Sequence, residues 1–157
     1  MELLFLLAFS LHNIEEGLWL PRWSKYTEKY YAQVSNAEFH FALLVITSIG
    51  FLITFLFLLF GQSFEAIKYI FLGFVLMMSF NAIFPHLIAT IALRRYAPGT
   101  LTGILLNLPI GIAIIIKSLG NGTQIYWIIL SCVVITVLSM ASLRPLFRIG
   151  SKLIDKY

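Results

Sequence analysis

Apolar residues along this chain gather into long unbroken runs and do not alternate with polar ones. Phe39 to Phe60, Tyr69 to Leu93, Leu101 to Leu119 and Ile125 to Leu143 each hold about the 20 residues that a helix needs to cross some 30 Å of hydrocarbon. Met1 to Leu20 makes a fifth run, polar towards its end. A transmembrane β-barrel would instead show many alternating segments of about ten residues. The pattern therefore predicts an all-α membrane protein, a compact bundle of five transmembrane helices over about residues 1–20, 39–60, 69–93, 101–119 and 125–143. The connections, about 21–38, 61–68, 94–99 and 120–124, leave no room for a soluble domain, so 1–157 reads as a single domain. The remainder, 144–157, alternates basic and apolar residues and is expected as an interfacial tail.

Composition agrees: 60% of residues are hydrophobic and 11% charged, with a mean hydropathy of +0.92. The first run opens Met1-Glu2, without a basic leader or a small-residue cleavage site before Pro21, and reads as a retained helix. Charge sets the expected orientation. With five spans, Arg22, Lys25, Lys29, Arg94, Arg95, Arg144, Arg148, Lys152 and Lys156 share one side, and Lys68 and Lys117 the other. Nine positive charges against two place the N-terminus outside and the C-terminus in the cytoplasm. The net charge of +4 is accounted for by this bias and by anionic inner-leaflet lipid, so no nucleic-acid partner is called for. Cys132, alone and mid-span, forms no internal disulfide and reads as buried filler.

Within the first apolar run stand His12, Glu15 and Glu16. A carboxylate at membrane depth costs about 3 kcal/mol unless compensated. His12 and Glu16 stack at i, i+4, and Glu15 flanks the same face, so three groups with metal-binding or proton-transfer chemistry converge. At 1.5 Å per residue, His12 lies roughly 12 Å from the end of its span, and His86, seven residues before Leu93, roughly 10 Å from the end of the third. Asn107, seven residues past Thr100, falls at a similar level. Pro85 should kink helix 3 between Asn81 and His86, and thereby join two side chains that a straight helix holds about 140° apart. Thr100, Gly103, Asn107 and Gly111 form a small-or-polar stripe that also suits close helix packing. Glu38 and His40 are further candidate ligands, although Ser35-Asn36-Ala37-Glu38 matches a capping box and His40 lies near the interface.

These residues, His12-x-x-Glu15-Glu16, then Asn81 with His86, then Tyr96-Ala97-Pro98-Gly99 and Pro109, resemble the HXXEE-motif family of small bacterial integral membrane proteins over roughly residues 5 to 111. That family carries a domain of unknown function. The resemblance implies a multi-pass protein of the bacterial inner membrane and supports the site residues without naming a substrate.

His12, His86 and either Glu15 or Glu16 would give three protein ligands and one open position, the pattern of catalytic zinc. The second glutamate would then serve as general base, and the cation would keep both carboxylates ionised. Arg94 or Arg95, beside Tyr96, could hold the phosphate or carboxylate of a membrane lipid or lipid-like molecule, with Asn107 as a further contact. Zinc is the favoured divalent metal. Iron becomes the choice if Glu38 and His40 join, since three glutamates and three histidines suffice for a two-iron oxidative centre. The expected function is thus a metal-dependent, water-activating membrane enzyme at the cytoplasmic leaflet, with Glu15, Glu16 and Asn81 catalytic. A metal-free acid–base version of the site also stands. Two other classes remain open. One is a proton- or ion-coupled transporter, for which an oligomer would make up for the missing inverted repeat. The other is a non-catalytic protein holding a metal or a haem through His12, His40 or His86.

Overall fold

The computed structural model describes residues 1–27 and 34–154. Lys29 and Lys156, counted above among the basic residues, lie outside them. Among the described residues five helices are long and apolar enough to cross a membrane: α1 (Glu2–Ser24), α2 (Asn36–Phe60), α3 (Glu65–Ala92), α4 (Thr100–Gly120) and α5 (Ile125–Ile154). α3 is central. It packs on α2, α4 and α5, while α1 lies against α2 and the beginning of α4.

In lipid, apolar side chains gain nothing by leaving one neighbour for another, so helices associate where small residues let them approach closely. Gly50 does this for α2: a Cβ there would come within 2.9 Å of Phe74 Cζ, and Phe9 fills the same space. Gly111 on α4 likewise lies against Ser79 on α3, and Gly73 on α3 against Ser131 on α5. Aromatic rings from three helices complete the core, with Phe57 stacked on Phe71 at 4.2 Å and Phe9 edge-on to Phe74 at 5.2 Å. One interhelical hydrogen bond, Asn13 Nδ2 to Thr47 Oγ1 at 2.8 Å, ties α1 to α2.

Prolines shape two of the helices. α1 runs past its expected end at Leu20 and through Pro21, which has no N–H to offer the carbonyl of Gly17. That carbonyl accepts from His40 Nε2 of α2 instead, at 2.8 Å. α3 breaks where Pro85 predicts: Ala82–Leu87 forms a widened π-type turn, with Phe84 at φ −121°, ψ 118°. α4 carries a matching π-type turn over Gly103–Asn107. The two lie together, Gly103 facing Ala82.

The expected interfacial tail needs correction. α5 does not stop at residue 143 but continues as helix through Pro145 to Ile154. Gly150 brings it against Phe41, Ala37 and Glu38 at the start of α2, and the basic residues 144, 148 and 152 stand exposed on this helical extension. Residues 155–157 are outside the described part. The contact also puts the end of α5 beside the start of α2. Arg95, after α3, lies 3.7 Å over the Tyr26 ring, after α1. The ends of α1, α3 and α5 thus lie at one end of the bundle.

The Pro21–His40 relation is testable by a double-mutant cycle. His40→Ala should lower stability by about 1 kcal/mol, and Pro21→Ala in the same chain should restore it, because the new N–H reaches the Gly17 carbonyl. A double variant no more stable than His40→Ala would refute the assignment.

Candidate functional site

Glu15 is 4% exposed, and its carboxylate is saturated. Oε1 accepts from the Tyr96 hydroxyl and from the Gly99 N–H at 2.7 Å; Oε2 accepts from the Thr102 N–H at 3.0 Å and the Thr102 hydroxyl at 2.6 Å. Gly99 and Thr102 are the N-cap and third residue of α4, which has no side-chain cap of its own. A helix N-terminus presents unpaired N–H groups and the positive end of the helix dipole. Glu15 satisfies both from the neighbouring helix. The Tyr96 hydroxyl, outside the spans, is pushed up to about 12 by burial first and then by the bond it donates to Glu15. A raised tyrosine favours the protonated donor, so this bond persists through neutral pH and is lost only as pH rises through that value.

The turn that delivers these donors is built from its own residues. α3 closes with the Arg95 N–H returned to the Thr90 carbonyl at 3.2 Å around Arg94, whose φ is 47°; this is the left-handed position that usually falls to glycine. Thr90 Oγ1 then accepts from the Ala97 N–H at 3.0 Å and meets Thr100 Oγ1 at 2.9 Å. Gly99 follows with φ +91°. A Cβ there would lie 2.7 Å from His86 Cε1 and 2.8 Å from His12 Cε1, so glycine is required both by the backbone and by the two imidazoles that rest against it.

Those imidazoles form the centre. Their rings stand at 83° with centroids 5.0 Å apart. His12 Nδ1 lies 3.2 Å from Thr102 Oγ1. Because Thr102 gives its own proton to Glu15, it accepts from His12 Nδ1–H, and the Nε2 lone pair is left facing inward. There Asn81 Nδ2 lies 3.1 Å from both His12 Nε2 and His86 Nε2, and Glu16 Oε1 lies 3.0 Å from His86 Nε2 and 3.7 Å from His12 Nε2. The break at Phe84 allows this, since it turns His86 onto the side of α3 that carries Asn81.

With Asn81 Nδ2 turned inward and Glu16 ionised, the protons of this group do not balance among its members. If both Nε2 atoms are unprotonated, Asn81 donates one N–H to each, and Glu16 Oε1 then faces a lone pair at 3.0 Å. If His86 Nε2 is protonated, Glu16 is satisfied, but one Asn81 N–H points at another N–H. A cation taking both Nε2 lone pairs and the carboxylate oxygen would leave the Asn81 N–H groups without acceptors, so it requires the Asn81 amide turned over, with Oδ1 towards the ion. Ligand atoms of His12, Glu16 and His86 all lie within 4.8 Å of one another, and the 3.0 and 3.7 Å from Glu16 Oε1 to the two imidazoles are separations that one metal ion spans at bond lengths of about 2.1 Å.

His12, Glu16, Asn81 and His86 are therefore brought together, with Glu15 alongside but turned to α4. Tyr96 serves Glu15, Arg94 serves the turn, and Arg95 lies over Tyr26. Asn107 is fully enclosed, and among the described residues neither of its amide atoms has a partner. Glu38 and His40 are not brought to the cluster. Glu38 completes the capping box with Ser35, through bonds of 2.9 and 3.2 Å, and His40 holds the Gly17 carbonyl. The six-residue set considered for two irons is thus not assembled. Sequence reasoning missed Thr102, which links Glu15 to His12; a threonine amid apolar residues carries no pattern that would single it out.

Glu15→Gln should cost about 2 kcal/mol, since a buried acceptor of charged hydrogen bonds is weakened, and should lower the midpoint of thermal unfolding in detergent. Glu16→Gln should lower it by less than half as much, and equal losses would contradict the division of labour described for the two residues.

Comparison with known proteins gives a consistent placement. Residues 3–114 match the family model described as a protein of unknown function with HXXEE motif. The chain is 44% identical over 150 residues, 94% of each chain, to the uncharacterized protein YrkK of Bacillus subtilis (strain 168). No solved structure matches. With His12, Glu15 and Glu16 standing as that motif at the centre of the bundle, the chain belongs to the HXXEE family.

Proposed function

We propose that this chain is a metal-dependent membrane enzyme of water-activating, hydrolase type, acting on a lipid-like or membrane-embedded substrate near the cytoplasmic leaflet. The observation that carries the reading is the meeting of His12 Nε2, His86 Nε2 and Glu16 Oε1 around one point. His12, His86 and Glu16 hold the ion, and zinc suits two imidazoles with one carboxylate and leaves a fourth position open. A divalent cation there supplies Lewis acidity and makes water acidic enough to react at neutral pH.

The protein's own groups divide the remaining work. Asn81 places its amide against both imidazoles and orients whatever occupies the fourth position. Glu15 holds His12 through Thr102, fixing the tautomer that presents Nε2. All four lone-pair directions of Glu15 are engaged, so it is not the proton acceptor. The cytoplasmic assignment follows the positive-inside rule, because the last turns of α1 and α5 and the stretches that follow α1 and α3 carry most of the basic residues.

Metal analysis of protein purified without added chelator tests the proposal. About one divalent ion per chain is expected, lost in His12→Ala, His86→Ala and Glu16→Gln and kept in His40→Ala and Glu38→Gln. Metal-free wild-type protein, or metal kept by all three site variants, would overturn it.

A further inference from the structure

Beside the cluster a furrow of about 700 Å³ runs between α1 and the start of α4. Its walls are apolar: Leu11, Ile14 and Leu18 from α1, Leu101 from α4 and Pro98 from the turn before it. These α1 residues fall on one stripe, and from Leu11 to Arg22 the furrow follows the helix for about 16 Å. Its floor is polar, because Glu15 and Thr102 line it. Its mouth is basic. Arg22 and Arg95 border it, both exposed, and Arg95 is held by its stacking on Tyr26 at 3.7 Å. Among the described residues neither guanidinium has a carboxylate within ion-pair distance. Glu15, whose oxygens are occupied by four donors, makes no ion pair with either.

We infer that this furrow binds an amphiphile with one hydrocarbon chain and an anionic phosphate or carboxylate headgroup, the chain lying along α1 and the headgroup between Arg22 and Arg95. Charge complementarity selects the headgroup: two guanidiniums without acidic partners at the membrane boundary are suited to planar or tetrahedral oxyanions. A volume of about 700 Å³ along one apolar stripe of α1, Leu11, Ile14 and Leu18, suits a single chain better than a bulk two-chain phospholipid. Arg94 takes no part, because its backbone is committed to the turn after α3. That the amphiphile is the substrate rests on the proposed function; that it binds does not. The floor joins the two sites, since Glu15 and Thr102 touch the ligand on one side and hold His12 on the other.

Two of the three tryptophans, Trp19 and Trp23, line the furrow, which makes the test spectroscopic. Trp127→Phe protein in phosphatidylcholine nanodiscs is titrated with an alkyl phosphate brominated near the middle of a twelve-carbon chain. Saturable quenching is expected, weakened about tenfold or more in Arg22→Gln or Arg95→Gln and largely restored by lysine at either position. Equal quenching by the brominated alcohol, or quenching that rises without saturating, would mean partition into lipid and overturn the inference. Displacement by inorganic phosphate at concentrations matching the alkyl phosphate would do the same, since it would make the site one for free anion. Repeating the titration with Glu16→Gln separates the two proposals. Binding intact in protein that holds no metal would leave the furrow standing without the metal centre. Metal-replete protein that fails to bind would sink the furrow alone.

Discussion

A charged carboxylate inside a bundle of apolar helices has to be surrounded by donors, and Glu15 obtains them all from one turn of chain. Gly99 N–H, Thr102 N–H and Oγ–H, and the Tyr96 hydroxyl converge on it. The arrangement solves two problems with one contact. The buried anion is compensated, and the unpaired N–H groups that begin α4 are satisfied at depth, where no side chain of α4 caps them. α1 and α4 are thereby locked in register, and His12, one turn before Glu15 and Glu16, is carried to Thr102 by the same lock.

The second constraint is the removal of backbone N–H groups by proline. Each loss frees a carbonyl one turn earlier, and in a membrane that carbonyl needs a donor. At Pro21 the donor is the His40 side chain, which converts a defect in α1 into a bond with α2. At Pro85 the helix widens instead, and the break at Phe84 turns His86 onto the side of Asn81. Facing widened turns on α3 and α4, with Gly103 against Ala82, set the imidazoles between the helices. Such turns are common at functional sites because they aim side chains that a regular helix cannot.

Much of this was legible in the sequence because it depends on local rules. Five continuous apolar runs gave five spans, Ser35 and Glu38 announced the cap of α2, and Pro85 marked the break. The pairing of His12 with Glu16 followed from helical spacing alone. What could not be read depends on chain ends and partners far apart. Whether Glu15 or Glu16 joins the histidines is decided by backbone N–H groups of residues 99 and 102, which leave no trace in composition. His40 looked like a ligand because its true partner is a carbonyl, present at every position. The end of α5 was misplaced at 143 because Arg144 and Pro145 resemble a boundary, whereas contact of Gly150 with α2 keeps the helix going.

The two adjacent glutamates follow from the same geometry. Neighbouring residues on a helix point about 100° apart, so two acidic side chains in succession on α1 cannot serve one partner; they address two. Glu15 looks towards α4 and is consumed in holding it, while Glu16, stacked one turn from His12, looks towards α3 and His86. A single glutamate at either position would leave the site without its ligand or α4 without its cap. The spacing of the histidine then follows: four residues before Glu16 puts His12 in the cluster, and three before Glu15 leaves its Nδ1 within reach of the threonine that Glu15 binds. The motif is in this sense the shortest stretch of one helix that can both anchor a neighbouring helix and present an imidazole and a carboxylate to a third.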